Sequence, residues 1–131
     1  MAIWNPAMEC ATRRGMDNIQ LERLKNTVRT AYDHVPMYRE KMDKAGVKPS
    51  DIESLKDITK IPLTCKQELR EQYPFKLLAV PMRDVVRIHA SSGTTGQPIT
   101  AGYTRGDLSM WAESIARLAT AGGVTQEDVA Q

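Results

Sequence analysis

His89-Ala90-Ser91-Ser92-Gly93-Thr94-Thr95-Gly96-Gln97-Pro98 is a loop of hydroxyls and glycines set between two short runs of strand-forming residues. Ser91, Ser92, Thr94 and Thr95 offer four hydroxyls, while Gly93 and Gly96 permit positive backbone angles and let amides approach a ligand closely. Such a concavity suits phosphate oxygens, and each charge-assisted hydrogen bond to one contributes about 1.5 to 3 kcal/mol. The same composition equally fits a solvated hairpin tip, since serine, threonine and glycine are common turn residues. Two familiar motifs are excluded. Gln97 and Pro98 stand where a Walker A loop needs Gly-Lys-Ser/Thr, and no Gly-x-Ser-x-Gly elbow occurs.

Immediately before the loop, Val85-Val86-Arg87-Ile88-His89-Ala90 reads as a half-buried strand, with Val86, Ile88 and Ala90 on one face and Arg87 and His89 on the other. Ile99-Thr100-Ala101-Gly102-Tyr103 is the second strand, so the loop is predicted to be the long tip of a hairpin. Thr104-Arg105-Gly106-Asp107 then caps a helix of about four turns marked by Leu108, Trp111, Ile115 and Leu118, which Gly122-Gly123 ends.

Upstream, Leu21, Leu24, Val28, Ala31, Tyr32 and Val35 recur at three and four and predict an amphipathic helix that Pro36 ends. A short helix through Tyr38, Met42 and Ala45 follows, closed by Gly46. Ser50-Asp51-Ile52-Glu53 has the form of a capping box for a short helix to about Asp57. Thr64-Cys65-Lys66-Gln67 repeats the device, and Tyr73-Pro74 stops the result. The expected order is a helical segment over 1–80 and a strand, loop, strand and helix over 85–121.

The chain has 131 residues, with 18 basic and 16 acidic side chains for a net charge of +2. That balance indicates neither a nucleic-acid partner nor a membrane surface. Cys10 and Cys65 lie far apart and fit no metal-ligand spacing, so they are expected to be reduced, buried thiols, with no metal site. No apolar run approaches the roughly 20 residues of a membrane span and the start has no signal-peptide pattern, so a cytoplasmic location is expected.

The run Ser91-Ser92-Gly93-Thr94-Thr95-Gly96-Gln97-Pro98 resembles the phosphate-binding signature of adenylate-forming enzymes, the superfamily of acyl-CoA synthetases, luciferases and peptide adenylation domains. The flanks Trp4-Asn5-Pro6, Val35-Pro36-Met37-Tyr38, Leu63-Thr64-Cys65-Lys66, Tyr73-Pro74-Phe75, Arg87-Ile88-His89-Ala90 and Gly102-Tyr103-Thr104 narrow the likeness to the phenylacetate-CoA ligase family of aryl-CoA ligases.

The resemblance implies the α/β fold of an AMP-binding domain, of which 1–131 is the N-terminal part, truncated relative to a family of several hundred residues. It implies ATP, magnesium and coenzyme A as cofactors or co-substrates and an aryl carboxylate such as phenylacetate as substrate. Ser91, Ser92, Gly93, Thr94, Thr95 and Gly96 inherit the role of holding the ATP phosphates. A lysine that many members carry beside the loop's proline is replaced here, Gln97 and Ile99 flanking Pro98. No catalytic acid, base or nucleophile is implied within the chain, which is expected to be inactive alone. As a fragment it is expected to dimerise, exchange segments or aggregate through open strand edges.

Two readings from other classes stand beside this one. The segment is alternatively a noncatalytic docking or regulatory module for a separately encoded remainder, or a serine hydrolase using Ser91 or Ser92 with His89, for which no ordered acidic partner is evident. His89 is expected to be a strand histidine with a satisfied hydrogen bond, Arg87 a solvated or ion-paired side chain, and Trp111 part of the core.

Overall fold

A computed structural model describes residues 2–91 and 96–129. The described residues form five α-helices, α1 (Pro6–Glu9), α2 (Arg13–His34), α3 (Pro36–Lys44), α4 (Lys66–Arg70) and α5 (Arg105–Ala121), and one antiparallel hairpin of β1 (Arg87–Ala90) and β2 (Thr100–Tyr103). Short 3-10 turns occupy Pro49–Asp51, Leu55–Lys60 and Met82–Asp84. The described chain is therefore mostly helical, and its β structure is the single hairpin.

Helix α2 starts eight residues before the apolar repeat that predicts it. Thr12 caps it by accepting a hydrogen bond from the Gly15 N–H at 3.1 Å, and Arg13 reaches Asp17 and Gln20 along the first turns. Extended Val35 (φ −117°, ψ 103°) separates α2 from α3, as a residue before proline prefers, and Pro36 begins the new helix where its missing N–H costs nothing. Gly46, at φ +67°, closes α3 in the left-handed conformation predicted for it.

Both upstream capping boxes fall out of the predicted register. The Ser50–Glu53 box does not form. Pro49 instead starts a 3-10 turn and the Asp51 carboxylate accepts from the Lys48 N–H at 2.7 Å. Ile52, only 1% exposed, is drawn into the core and ends that turn. The next box is Ser54–Asp57, with the Ser54 N–H donating to Asp57 Oδ2 at 2.7 Å. At α4 the cap is Cys65 rather than Thr64, because the side chain that turns back to the cap N–H is the Glu68 carboxylate, at 2.7 Å.

The core sits between α2, α3 and the first two 3-10 turns. Val28, Met42, Val47 and Ile52 form it, with Leu24, Tyr32 and Ile61 packed against them. The hairpin is less enclosed than its sequence pattern predicts, since every residue of β1 is exposed. Cys10 and Cys65 are exposed as well, against the expectation of buried thiols. Cys65 is outside because it caps a helix start rather than filling a helical face.

Lys41 of α3 ties this core to α4. Its ammonium donates to the Leu63 carbonyl at 2.6 Å and to Glu68 Oε1 at 2.5 Å. The Lys41 contact, helped by the Cys65 N–H, holds the Glu68 carboxyl down at about 2 from an ordinary value of 4.5. A depressed carboxylate stabilises the fold fully above its unfolded value and loses that contribution as pH falls through its folded value. Glu68→Gln is therefore expected to cost stability at neutral pH and to converge on the parent between about pH 4.5 and 2. Urea midpoints of both proteins at stepwise lower pH measure this, and a constant difference across the window would contradict it.

Candidate functional site

Register places the loop. Arg87 lies opposite Tyr103, Ile88 opposite Gly102, His89 opposite Ala101 and Ala90 opposite Thr100. The pairing continues one step further, where the Ser91 N–H donates to the Ile99 carbonyl at 3.0 Å and the Ile99 N–H donates to Ser91 Oγ at 2.9 Å. Ser91 thus forms the neck of the hairpin tip through backbone and side chain together, while its hydroxyl proton remains able to donate. Gly96 stands at φ +116°, which only glycine adopts without strain. Ser92, Gly93, Thr94 and Thr95 lie outside the described residues.

A hollow of about 210 Å³ opens beside the far end of the loop, lined by Gln67, Arg70 and Glu71 of α4 and its end, together with Gly96 and Gln97. Arg70, half-buried, and Glu71, exposed, both line this hollow. Sequence reasoning missed Arg70, because no periodicity relates a position on α4 to a loop more than twenty residues downstream.

His89, Tyr103 and Trp111 form an aromatic cluster on one face of the hairpin. His89 meets Tyr103 edge-on at 5.1 Å between centroids and Trp111 at 5.6 Å, and Tyr103 lies 5.5 Å from Trp111. Among the described residues the contacts given for His89 are with these two rings. Trp111, expected in the core, is 41% exposed at the margin of this cluster. Ser91 Oγ accepts from the Ile99 N–H and the His89 ring packs against two aromatics, while Ser92, the other serine of the serine–histidine reading, lies outside the described residues. Arg87 is exposed, as expected, and flanks Trp111 in a shallow depression on α5.

On the other hairpin face, a cleft of about 440 Å³ runs from Thr30 of α2 past residues 77–80 to Ile99, Thr100 and Gly102. Its lining is largely aliphatic. The Thr100 hydroxyl is buried there without a hydrogen-bond partner among the described residues.

Helix α5 carries the hairpin, and the N-terminal segment braces α5. Thr104 and Asp107 form the predicted capping box, the Thr104 N–H donating to Asp107 Oδ2 at 2.8 Å. Glu113 of α5 receives the Trp4 indole N–H at 2.8 Å and the Asn5 side-chain amide at 2.7 Å, one on each oxygen. These donors, Asn5 foremost, hold the Glu113 carboxyl below its usual range. Arg117 stands 3.6 Å from Glu9, an ion pair too long for a hydrogen bond. Nothing in the local pattern of Trp4-Asn5-Pro6 signals a partner more than a hundred residues away.

Among the described residues no group of His, Cys, Asp and Glu is placed to hold a metal ion, and no helix is long and apolar enough to cross a membrane.

No family model matches the chain. Over 121 residues it is 50% identical to a phenylacetate-coenzyme A ligase of Escherichia coli (strain K12), covering 92% of this chain and 28% of that protein. A phenylacetate-coenzyme A ligase of Thermus thermophilus is 46% identical over 121 residues, again 92% of this chain and 27% of the relative. Among solved structures, 2-hydroxyisobutyryl-CoA ligase in complex with 2-HIB-AMP and CoA superposes with a TM-score of 0.86 at 33% identity, over 96% of this chain and 28% of that one. The chain spans little more than a quarter of the length of the curated relatives it matches.

Proposed function

Since this chain is a homologue of the phenylacetate-coenzyme A ligases and has part of the fold of a CoA ligase, we propose that it is the N-terminal, phosphate-loop portion of an ATP-dependent aryl-CoA ligase. The observation that carries this reading is the 50% identity to the Escherichia coli ligase over 121 residues. In the proposed reaction an aryl carboxylate attacks the α-phosphate of ATP, forming an acyl adenylate and releasing pyrophosphate. Coenzyme A then displaces AMP to give the thioester. The expected setting is cytoplasmic.

This chain's share of the work is positioning and electrostatic stabilisation. The hydroxyls and amides of residues 91–96 receive the β and γ phosphates, with the Ser91–Ile99 neck fixing where the tip begins. Gly96 keeps the backbone open on the α4 side, where Arg70 supplies positive charge beside Gln97. Magnesium, when bound with ATP, offsets charge on the departing pyrophosphate. No acid, base or nucleophile is assigned to the chain, and alone it does not complete the reaction.

Mg-ATP titrated into the ¹⁵N-labelled chain tests the reading. Amide shifts are expected at Ser91 and Gly96, with millimolar affinity weakened about tenfold in Thr94→Ala/Thr95→Ala and by a similar factor in Arg70→Gln, the loss of one or two charge-assisted bonds. Absence of shifts at Ser91 and Gly96 at saturating nucleotide would refute it.

A further inference from the structure

The segment around α1 meets α5 at two points one helical turn apart. Glu113 takes the Trp4 indole N–H on Oε2 and the Asn5 side-chain amide on Oε1, and Arg117, four residues on, stands 3.6 Å from Glu9. Positions four apart lie one above the other, so both contacts share one face of α5. Asn5 is itself held in place. Its backbone N–H donates to Glu9 Oε1 at 2.7 Å and its Oδ1 accepts from the Met8 N–H at 3.2 Å, so the turn of α1 and the grip on α5 form as one strap.

The hairpin meets the opposite face. Trp111 precedes Glu113 by two residues, about 200° around a helix of 3.6 residues per turn. Its ring lies 5.5 Å from Tyr103 and 5.6 Å from His89. Helix α5 is thus held between the strap on one side and the two strands on the other.

No linker separates the sheet from this helix, because Tyr103 ends β2, Thr104 is the cap and Arg105 opens α5. The capping box closes the joint in both directions, from the Thr104 N–H to Asp107 Oδ2 at 2.8 Å and from the Asp107 N–H to Thr104 Oγ at 3.2 Å. Any rotation of α5 about its axis therefore carries Trp111 against His89 and Tyr103. His89 stands two residues before Ser91 and Tyr103 four after Ile99, so the rings that Trp111 touches share a face of the hairpin with the neck.

We propose that Glu113 is a positioning residue for the phosphate loop. By holding Trp4 and Asn5 it fixes the rotation of α5, and α5, through Trp111, fixes the strands whose neck at Ser91 and Ile99 sets where the loop begins. The link to the neck stands on geometry, while its consequence for phosphate rests on the reading of residues 91–96 as the ATP site. A carboxylate suits the task because it presents two proton-free oxygens to two donors at once. Glutamine keeps one acceptor and sets a third donor among the other two.

Amide spectra of the ¹⁵N-labelled chain without nucleotide are the first test. Glu113→Ala is expected to shift the Ser91 and Ile99 amides. Glu113→Gln and Trp4→Phe, each of which keeps part of the grip, should shift them less and in the same direction, and these milder variants carry the test should alanine unfold α5. Adding Trp4→Phe to Glu113→Ala should move the amides no further, since the shared contact is already lost. Ile52→Val, which weakens the core between α2 and α3, controls for general loss of stability and should leave both amides in place. With nucleotide added, the Kd for Mg-ATP should rise about fivefold in Glu113→Ala, the size of a coupling carried through a chain of packed groups.

Unmoved neck amides in the Glu113 variants, additive shifts in the double variant, equal shifts in Ile52→Val, or a moved neck with unchanged Mg-ATP affinity would each overturn the proposal. Mg-ATP shifts in the parent with an unmoved neck in the variants would defeat the Glu113 link alone. Neck shifts in the variants with no response to Mg-ATP in the parent would confirm that link and defeat the nucleotide reading instead.

Discussion

Replacing Ile52 with alanine is expected to lower stability by about 3 kcal/mol, within the range of 2 to 5 measured for large-to-small changes at buried aliphatic sites. Ile52 is 1% exposed and packs with Val28, Met42 and Val47 in the one cluster of buried residues among the described residues. The size of the loss depends on how far the neighbouring side chains collapse into the vacated space. For a chain of this length that loss lowers the melting temperature by about 12 °C. Ile52→Val, which keeps the branch that fills the pocket, should cost only about 1 kcal/mol. Thermal melts of both variants decide the matter, and an Ile52→Ala melting temperature within about 3 °C of the parent would show that the core is not where stability resides.

Gly102→Val is expected to cost about 3 kcal/mol through the opposite mechanism, overpacking. A Cβ at position 102 would lie 2.5 Å from Leu78 Cδ2 and 3.2 Å from Val85 Cγ1. A leucine methyl can swing aside, whereas the branched Val85 has little rotamer freedom. Gly102→Ala therefore costs about 1 kcal/mol, and the two further methyls of valine bring the larger loss by prying β2 from residues 78–85. Because β2 sets the neck at Ile99 and Ser91, Gly102→Val should also reduce any nucleotide-dependent shift at Ser91. Adding Leu78→Ala is expected to return part of the stability lost in Gly102→Ala. Failure of that rescue, read from denaturant midpoints, would place the strain elsewhere.

Much of the local structure was legible because it closes within a few residues. The Thr104–Asp107 box, the left-handed Gly46, the hairpin pairing and the stop at Gly122 each depend on side chains and backbone no more than a short loop apart. Where competing caps stood side by side, the reading slipped. Ser50 reads as the cap, but Pro49 starts the first turn, the buried Ile52 ends it, and Ser54 caps the next.

Of the candidate site, the hydroxyl and glycine loop was visible in composition and in its resemblance to a phosphate-binding signature, and Ser91 and Gly96 stand at its two ends. Arg70 was not visible, nor was the grip of Trp4 and Asn5 on Glu113. Both are contacts between segments far apart in the chain.

By itself the sequence determined the local elements and the kinship with CoA ligases, since hydrogen-bond closure at caps and turns is a property of neighbouring residues. Only the tertiary structure decided which apolar faces are covered. Val28 and Trp111 both sit on helical stripes, yet Val28 is enclosed by α3 and the turn at Ile52 while Trp111 has the hairpin on one side and open surface on the other. Burial depends on what packs against a face, and periodicity records only that the face exists.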